Sequence, residues 1–539
     1  MGRSAVVGAL CVNVAFLFAA GTGFCDITGK KQTRAVTESS GTVTFGSPFT
    51  DGMVLQRGVK APVWGWAQPG QCVTVSFAGQ QKDATADAKG RWIVFLDPLV
   101  ASKQGRELRA NGMTVKDVLV GEVWFCSGQS NCGVPVCGDN PHYRERYGAM
   151  RAQITNNPYV RLASWARHSI ALEPLERTEN PVRWYSLTPD NLMKRDAWAT
   201  SSIAFQFARD LYEALDVPIG VLQHFWGGVG IDSWIPREGY EKHPELAYEK
   251  NLKRYAKTDY KPEHFERAHF KLGYQQQPMV LWNAFVAPVA PYAIKGLIWH
   301  QGCNNAGKDE APRYAAKLHA LYDGWSENFA NPDFKLYYAQ LADFHDHGQI
   351  VIRLQQAQFE KEEPHAAMAV TSDTGVFTDI HSPDKSIVGT RLALKALKRD
   401  YGYSIEDSSP EVKNWSVETN TVRLVFSHAK SIYFYNADWS LDNLFDLKGE
   451  DGKWHPATIV NYRPENPDRK AKGRLAAGTL VGEGLVLSAK GVTVPTGVRY
   501  LFRAPYRSNV YNEVNLPLGP FTTEQPSRFG GVTKSEKVL

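Results

Sequence analysis

The stretch "VLVGEVWFCSGQSN", Val118 to Asn131, is a largely apolar run that passes directly into small and polar residues. A near-continuous apolar run is typical of a strand buried on both faces of a parallel sheet. The segment from Ser127 to Asn131 begins where that strand would end. Ligands of such sheets bind outside the carboxyl ends of the strands. The stretch therefore predicts an α/β fold and a serine hydroxyl at the edge of the sheet where a site is expected.

The same pattern recurs through the middle of the chain. Amphipathic segments such as "WATSSIAFQFARDLYEAL" and "PRYAAKLHALYDGWSENF" separate further apolar runs, which are "PIGVLQHF" from Pro218, "IKGLIWH" from Ile294, "KLYYAQLA" from Lys335 and "AAMAVTSD" from Ala366. Strands alternating with helices indicate a parallel sheet covered by helices on both faces. We expect this α/β domain to span residues 116–405.

Shorter strands with period-two alternation flank this region. Runs such as "CVTVSFAG" and "RWIVFLDP", divided by turn residues, predict an N-terminal β-sandwich at 42–115. Runs such as "TNTVRLVFSHA" and "GVRYLFRAP" predict a second β domain at 406–523. The final segment, 524–539, shows no pattern and is predicted to be a disordered tail.

The first residues predict export. A basic start at Arg3 is followed by the uncharged run "SAVVGALCVNVAFLFAA" and then by small residues, as in a secretory signal peptide, here 1–23. No later run is long enough to span a membrane, so we expect a soluble protein, secreted or periplasmic. The net charge of +5 over 539 residues, without basic clusters, argues against a nucleic-acid partner. The oligomeric state stays open.

Polar and small residues follow the predicted strands, at one edge of the sheet. They are Ser130 after the first run, Gly227 and Gly228 after the second, Gln301 and Asn305 after the third, and Asp379 and His381 after the fifth. A serine needs a base to remove its proton, and the base needs a carboxylate to orient it. The oxyanion formed on attack needs preorganised donors. The set therefore indicates an acyl-transfer site.

Within this set, His381 is the candidate base. Candidate oxyanion donors are the Ser130 N–H at a predicted helix N-terminus, a glycine N–H at Gly227 or Gly228, and the Gln301 carboxamide. Each residue also has a structural interpretation, since serine caps helices and glycine pairs form turns. The residues alone leave both interpretations open.

An ordered set of motifs adds to this interpretation. The chain contains "FTDGMVLQRGVKAPVWGWAQPGQCVTV", "DVLVGEVWFCSGQSN", "PIGVLQHFWGGVGIDSW", "GLIWHQGCNNA", "DIHSPDKSIVGTRLAL" and "YNEVNLPLGPF" in this order. With them it resembles the sialate O-acetylesterase family of SGNH-type hydrolases over nearly the whole chain after the signal. The resemblance implies a three-layer flavodoxin-like SGNH hydrolase domain with flanking N- and C-terminal β-sandwich domains.

The resemblance also implies roles for single residues. Ser130 would be the nucleophile and His381 the general base, with Asp379 as its carboxylate partner and Asp373 as the alternative. Gly227 or Gly228 and Gln301 or Asn305 would complete the oxyanion hole with the N–H of Ser130. Similar enzymes hydrolyse acetyl esters on sugars, through an acetyl-enzyme, without metal or cofactor. The expected substrate is an acetylated glycan or sialic acid.

Two residues depart from the family pattern. Cys132 replaces the methionine that usually follows the GQSN motif, and Cys303 replaces the usual glutamate of the third motif. The hypothesis is a Cys132–Cys303 disulfide between two facing loops, with Cys137–Cys303 as the second choice and free thiols as the alternative. Cys126 is expected to pack as a small apolar residue. The spacing of the cysteines and histidines matches no zinc pattern.

Two alternative functions remain at this stage. One is deacetylation of xylan or another polysaccharide. The other is a non-catalytic glycan-binding protein on the same scaffold, which the altered third motif keeps open. Tryptophans near the strand ends are candidates for sugar-stacking faces or for core residues, and these are Trp124, Trp226, Trp234 and Trp299.

Overall fold

The fold is taken from a computed structural model that covers most of the chain. It describes residues 42–137, 150, 152–165, 170–191, 200–246, 274–329, 331, 333–344, 348–376, 379–381, 384–434, 444–464, 478–480, 484–503 and 507–524. The predicted signal peptide at 1–23 and, apart from Glu524, the predicted tail at 524–539 lie outside the described residues.

The strands of the first half, in chain order, are β1 (Thr44–Phe45), β2 (Val54–Gln56), β3 (Ala61–Trp66), β4 (Cys72–Phe77), β5 (Gln80–Thr85), β6 (Arg91–Leu96), β7 (Ser102–Ala110), β8 (Met113–Gly128), β9 (Val160–Ser164), β10 (Arg183–Tyr185), β11 (Ile219–Phe225) and β12 (Gly296–His300). The later strands are β13 (Lys335–Ala339), β14 (Ala366–Ala369), β15 (Glu411–Glu418), β16 (Thr421–Ser427), β17 (Ile432–Tyr433), β18 (Phe445–Lys448), β19 (Trp454–Ile459), β20 (Tyr462–Pro464), β21 (Gly478–Leu480), β22 (Leu485–Ala489), β23 (Gly497–Tyr500), β24 (Tyr511–Asn512) and β25 (Phe521–Thr522). The α-helices are α1 (Ser202–Leu215), α2 (Arg237–Lys242), α3 (Tyr314–Asn328), α4 (Gly348–Glu362) and α5 (Ser386–Arg399).

The central sheet has the strand order β10-β9-β11-β8-β12-β13-β14. Its neighbours are parallel except for the antiparallel pair β9 and β10. The five strands predicted from apolar runs are all present. Strand β11 lies on one side of β8 and the next strand in the chain, β12, lies on the other, so the crevice where doubly wound sheets bind ligands opens at the carboxyl end of β8.

Helices cover both faces of this sheet, as predicted. Alternate residues of β8 point to opposite faces. Trp124 and Cys126 pack in one core cluster with α1 and α5. Val123 and Phe125 pack in a second cluster with α3 and α4. The fold is therefore mixed α/β.

The N-terminal β segment is joined to the central sheet. Strands β1, β3 and β6 form a separate antiparallel sheet, while β4, β5 and β7 connect to β8. Strand β8, Met113–Gly128, runs through the boundary predicted between residues 115 and 116. Strand β2 falls in the segment predicted to form the sandwich, and it pairs in parallel with β8. All three residues of β2 are buried, because β2 lies beside the central strand β8.

The C-terminal segment forms an antiparallel sheet with the order β15-β16-β22-β19-β18-β23-β25. It has its own apolar cluster, which includes Leu424, Leu447, Leu487 and Tyr500. This agrees with the predicted β character of the segment. Among the described helices, none combines the length and the apolar character that a bilayer crossing needs.

Acid stability provides a first prediction, at Asp407. Burial acts to raise the pKa of Asp407, but Lys395, Lys398 and Arg399 outweigh burial and lower this pKa from 3.8 to about 2. A lowered pKa in the folded state stabilises the protein above the unfolded pKa, and this stabilisation is lost as the pH falls toward 2. We expect Asp407→Asn to remove about 2 kcal/mol at pH 7. Thermal unfolding should show a gap between variant and wild type that closes between pH 5 and pH 2. A gap of equal size at every pH would contradict this account.

Candidate active site

Ser130 lies in a turn that directly follows β8. The carbonyl oxygen of Gln129 closes the turn by accepting hydrogen bonds from the N–H groups of Cys132 (2.9 Å) and Gly133 (3.1 Å). The sequence predicted a helix N-terminus here, and the structure has this turn instead. Gly128, at φ +146°, lets the chain turn sharply, and a Cβ there would lie 2.3 Å from the carbonyl oxygen of His300. Strand β12 therefore leaves no room for a side chain at position 128, and the chain turns away from the sheet directly before Ser130.

Ser130 is half-buried at the end of β8. Its own N–H donates to none of the described residues, and the same holds for the N–H groups of Gly227 and Gly228. The two glycines form the turn after β11, beside β8, and Gly228 adopts φ +68°. These N–H groups are therefore available to a ligand at the strand ends.

Gln301 and Asn305 follow β12, on the other side of β8. Gln301 is fully buried, and its amide nitrogen donates to the carbonyl oxygen of Val229 (3.0 Å) and to Oδ1 of Asn305 (2.8 Å). Its Oε1 accepts a hydrogen bond from the hydroxyl of Tyr314 (2.7 Å). Both amide hydrogens of Gln301 are thus in use, so this side chain supports Asn305 and has no donor left for an oxyanion.

Asn305, unlike Gln301, has an amide hydrogen that is still available. Its Oδ1 accepts from the N–H of Ile231 (3.0 Å) as well as from Gln301 (2.8 Å), which fixes the orientation of the amide. Its Nδ2 donates to Oδ2 of Asp232 at 3.3 Å. Among the described residues nothing accepts the second Nδ2 hydrogen. Of the two predicted carboxamide donors, only Asn305 can therefore still donate.

A buried ion network holds Asp232 in place. Nζ of Lys317 donates to Oδ2 of Asp232 at 2.8 Å and also to the carboxylate of Glu310. Burial acts to lower the pKa of Lys317, but the two carboxylates outweigh it and hold this pKa above its ordinary value. Lys317 is therefore charged. Its ion pair holds in place Asp232, which accepts the hydrogen bond from the Asn305 amide.

His381 follows β14 and lies next to Asp379. Its N–H donates to Oδ1 of Asp379 at 2.9 Å, while its Nδ1 lies 3.8 Å from the same oxygen. The longer distance exceeds a hydrogen bond, as is common in free enzymes. The alternative acid, Asp373, forms a bidentate pair with Arg391 at 2.6 and 2.7 Å. Asp379 is thus the carboxylate beside His381.

The residues on either side of Ser130 connect the three strand ends. Oε1 of Gln129 accepts from the N–H groups of Gly302 (3.2 Å) and Asn304 (3.5 Å), after β12. Nδ2 of Asn131 donates to the carbonyl oxygen of Ile380 at 3.0 Å, directly before His381. The structure therefore links the turn at Ser130 (the serine turn) to the segment after β12 that carries Gln301 and Asn305. It also links this turn to the segment Asp379 to His381, called the histidine segment.

The cysteines do not form the predicted disulfide. The structure records no disulfide among Cys126, Cys132, Cys137 and Cys303. The Sγ atom of Cys132 lies 3.4 Å from that of Cys126, and both pack with Cys137 on the α1 and α5 side of the sheet. Cys303 packs against the cluster on the opposite side. Neither predicted pairing, Cys132–Cys303 or Cys137–Cys303, is formed in the structure.

The reactivity of these thiols is a second prediction. Burial and the contact with Cys126 raise the pKa of Cys132 well above its ordinary value. Since the thiolate is the reactive form, we expect Cys132 and Cys126 to resist iodoacetamide in the folded protein and to react after unfolding. Exposed Cys72 is the matched control and should react at once. Peptide mapping without reductant would refute this prediction if it found a peptide linking Cys132 to Cys303.

Other side chains near the strand ends are core residues. Trp124, Trp234 and Trp299 are fully buried and Trp226 is 5 % exposed, so none of these tryptophans presents a face to a sugar. His224 is stacked on Phe285, with ring centroids 3.8 Å apart. Burial lowers the pKa of His300 well below its ordinary value, so that His300 is neutral.

A serine turn at the end of a central parallel strand, with unused donors on both sides and a histidine–carboxylate pair on a connected segment, is an arrangement that suits an ester hydrolase. The comparisons agree with this class. Residues 120–398 match the family described as carbohydrate esterase, sialic acid-specific acetylesterase, and the chain belongs to this family. The protein is thus an enzyme, a carboxylic ester hydrolase.

Several relatives support the assignment. The chain is 27 % identical to the sialate O-acetylesterase of Rattus norvegicus over 478 residues, which cover 78 % of this chain and 85 % of the relative. It is 29 % identical to that of Homo sapiens over 460 residues, with 77 % and 82 % covered. The crystal structure of a carbohydrate acetylesterase from Xanthomonas citri aligns with a TM-score of 0.73 at 27 % identity, covering 90 % of this chain and all of the other.

The sequence did not reveal several residues that organise the site. Gln129 and Asn131 lie within the GQSN motif, and their position beside Ser130 was the available signal. Asp232 and Lys317 gave no such signal, because a lysine in an amphipathic helix is usually exposed. Lys317 is nevertheless fully buried in α3. Only its partners from distant segments explain that position.

Proposed function

We propose that this protein is an exported serine esterase that removes O-acetyl groups from sialic acid or a related glycan through an acetyl-enzyme. The observation that carries the proposal is the set of unused donors at the strand ends near Ser130, namely its own N–H, the N–H groups of Gly227 and Gly228, and one amide hydrogen of Asn305. Donors without a protein partner at the end of a central strand suit a developing oxyanion.

In the proposed mechanism, Oγ of Ser130 attacks the acetyl carbonyl and passes its proton to His381. The oxyanion accepts hydrogen bonds from the donors named above. His381 then returns the proton to the leaving sugar oxygen, and Ser130 keeps the acetyl group. Water then attacks the carbonyl carbon of the acetyl-enzyme while His381 takes its proton. His381 returns this proton to Oγ of Ser130 as the ester bond breaks, which releases acetate and restores the serine. Asp379 orients His381 and stabilises its charged form, and no step requires a metal or cofactor.

We also propose a domain arrangement and a cellular location for this protein. Residues 116–405 would be a three-layer flavodoxin-like SGNH hydrolase domain, flanked by β-sandwich domains at 42–115 and 406–523. The hydrophobic start of the chain supports a signal peptide at 1–23 and export to the periplasm or the medium. The substrate class rests on the relatives, which carry the name sialate O-acetylesterase.

A second candidate substrate is an acetylated polysaccharide such as acetyl-xylan. It is favoured by the Xanthomonas citri structure, whose name specifies a carbohydrate acetylesterase and not a sialate enzyme. The deciding experiment measures acetate release by purified protein from 9-O-acetyl sialic acid and from acetyl-xylan, side by side. A preference for the first supports the leading proposal. Binding of either glycan without acetate release would support the non-catalytic alternative instead.

A further inference from the structure

A buried cation contacts the serine turn from the side of α5. Lys385 immediately precedes this helix and is only 2 % exposed. Its Nζ donates a hydrogen bond to Oδ1 of Asn131 at 2.5 Å, and Asn131 is the residue after Ser130. Burying a lysine is costly unless polar partners compensate. Here one of those partners is the neutral amide of Asn131 in the serine turn. The contact is therefore a candidate for a role in the site.

The contact with Lys385 determines which way the Asn131 amide points. An ammonium group can only donate hydrogen bonds and a backbone carbonyl can only accept them. With Lys385 on one side and the carbonyl of Ile380 on the other, only one orientation satisfies both neighbours. In that orientation Oδ1 faces Lys385 and Nδ2 donates to Ile380 at 3.0 Å. The reversed amide would place donor against donor and acceptor against acceptor.

We propose that Lys385 and Asn131 form a positioning pair that holds the histidine segment against the serine turn. The link joins the residue after Ser130 to the residue before His381, the two side chains that exchange a proton in the proposed mechanism. The pair touches no reacting atom and acts through the placement of those two residues. It rests on the proposed function, and it assigns new roles to Lys385 and Asn131.

Proton transfer depends steeply on this placement, since an error of 1 Å can reduce the rate about 10²-fold. We expect Lys385→Met to lower kcat for acetate release by about 10- to 100-fold with little change in KM. Labelling of Ser130 by a fluorophosphonate probe should slow by a similar factor, because it needs the same alignment with His381. The double variant Lys385→Met/Asn131→Ala should be no slower than the slower single variant, since each change breaks the same link.

The variant Asn131→Asp separates positioning from stability. A carboxylate keeps the contact with Lys385 but cannot donate to the Ile380 carbonyl. We expect this variant to lose kcat about as much as Asn131→Ala does, but its unfolding temperature should fall less than that of Asn131→Ala, because the contact with Lys385 is kept. A purely structural role would instead predict that activity and unfolding temperature change together.

Lys395 provides the matched control. It lies in α5, is 3 % exposed, and faces Glu360 and Asp407 at 3.9 and 3.7 Å, away from the serine turn. Lys395→Met should lower the unfolding temperature and keep kcat within about 3-fold. The proposal fails if Lys385→Met retains wild-type kcat, or if both lysine variants lose kcat in proportion to their loss of stability. A wild-type protein that releases no acetate and takes up no probe would overturn the proposed function, and the pair with it.

Discussion

Replacing Ser130 with alanine is expected to lower acetate release by about 10⁴- to 10⁶-fold while the fold remains intact. The variant lacks the hydroxyl that would form the acetyl-enzyme, and the remaining groups supply only binding and oxyanion stabilisation. Ser130 is half-buried and neither donates nor accepts a hydrogen bond among the described residues, so replacing its hydroxyl breaks no hydrogen bond within this part of the chain. The unfolding temperature should therefore stay close to that of the wild type.

A matched control for this variant is Ser127→Ala, in the same motif. Ser127 is fully buried in β8, and its hydroxyl has no hydrogen-bond partner within the described part of the chain. Removing an unpaired buried hydroxyl should be neutral or slightly stabilising, with full activity. Both variants would be compared by acetate release and by fluorophosphonate labelling. Ser130→Ala activity equal to wild type would exclude the serine mechanism.

The second large effect is expected at Asn305. Its amide is held by Ile231, Gln301 and Asp232 and retains one hydrogen for the site. Loss of one preorganised oxyanion donor typically lowers kcat by about 10²- to 10³-fold. We therefore expect Asn305→Ala to reduce kcat by this factor with a small change in KM, because the oxyanion exists only after attack has begun.

Asn304 is the natural comparison for Asn305. It is exposed, and its amide donates to Oε1 of Gln276 at 2.9 Å. Asn304→Ala should change kcat by less than about 3-fold, because the backbone N–H that contacts Gln129 is retained and only an exposed side-chain contact is lost. If the two alanine variants lose the same activity, or if Asn305→Ala raises KM and leaves kcat unchanged, the oxyanion role is refuted. Steady-state kinetics on one acetylated substrate measures both values.

The sequence predicted the central strands well because burial on both faces leaves a long apolar run. The runs that begin at Val118, Pro218 and Ile294 became β8, β11 and β12, side by side and parallel. The sequence predicted strand pairing less well where the two paired strands lie far apart in the chain. The three residues of β2 look like any short strand, and their parallel place beside β8 depends on a partner more than 60 positions away.

The sequence by itself determined the α/β class, the family, and the order in which a serine, glycines, carboxamides and a histidine reach one edge of a sheet. These properties follow from local apolar patterns and from motifs, which are contiguous in the chain. Only the tertiary structure decided that Asn305 keeps a free donor while Gln301 does not. It also placed Cys132 against Cys126 and not Cys303, and Lys385 against the serine turn. The physical reason is that a hydrogen-bond partner or a sheet face is set by neighbours from distant segments, which no local pattern encodes.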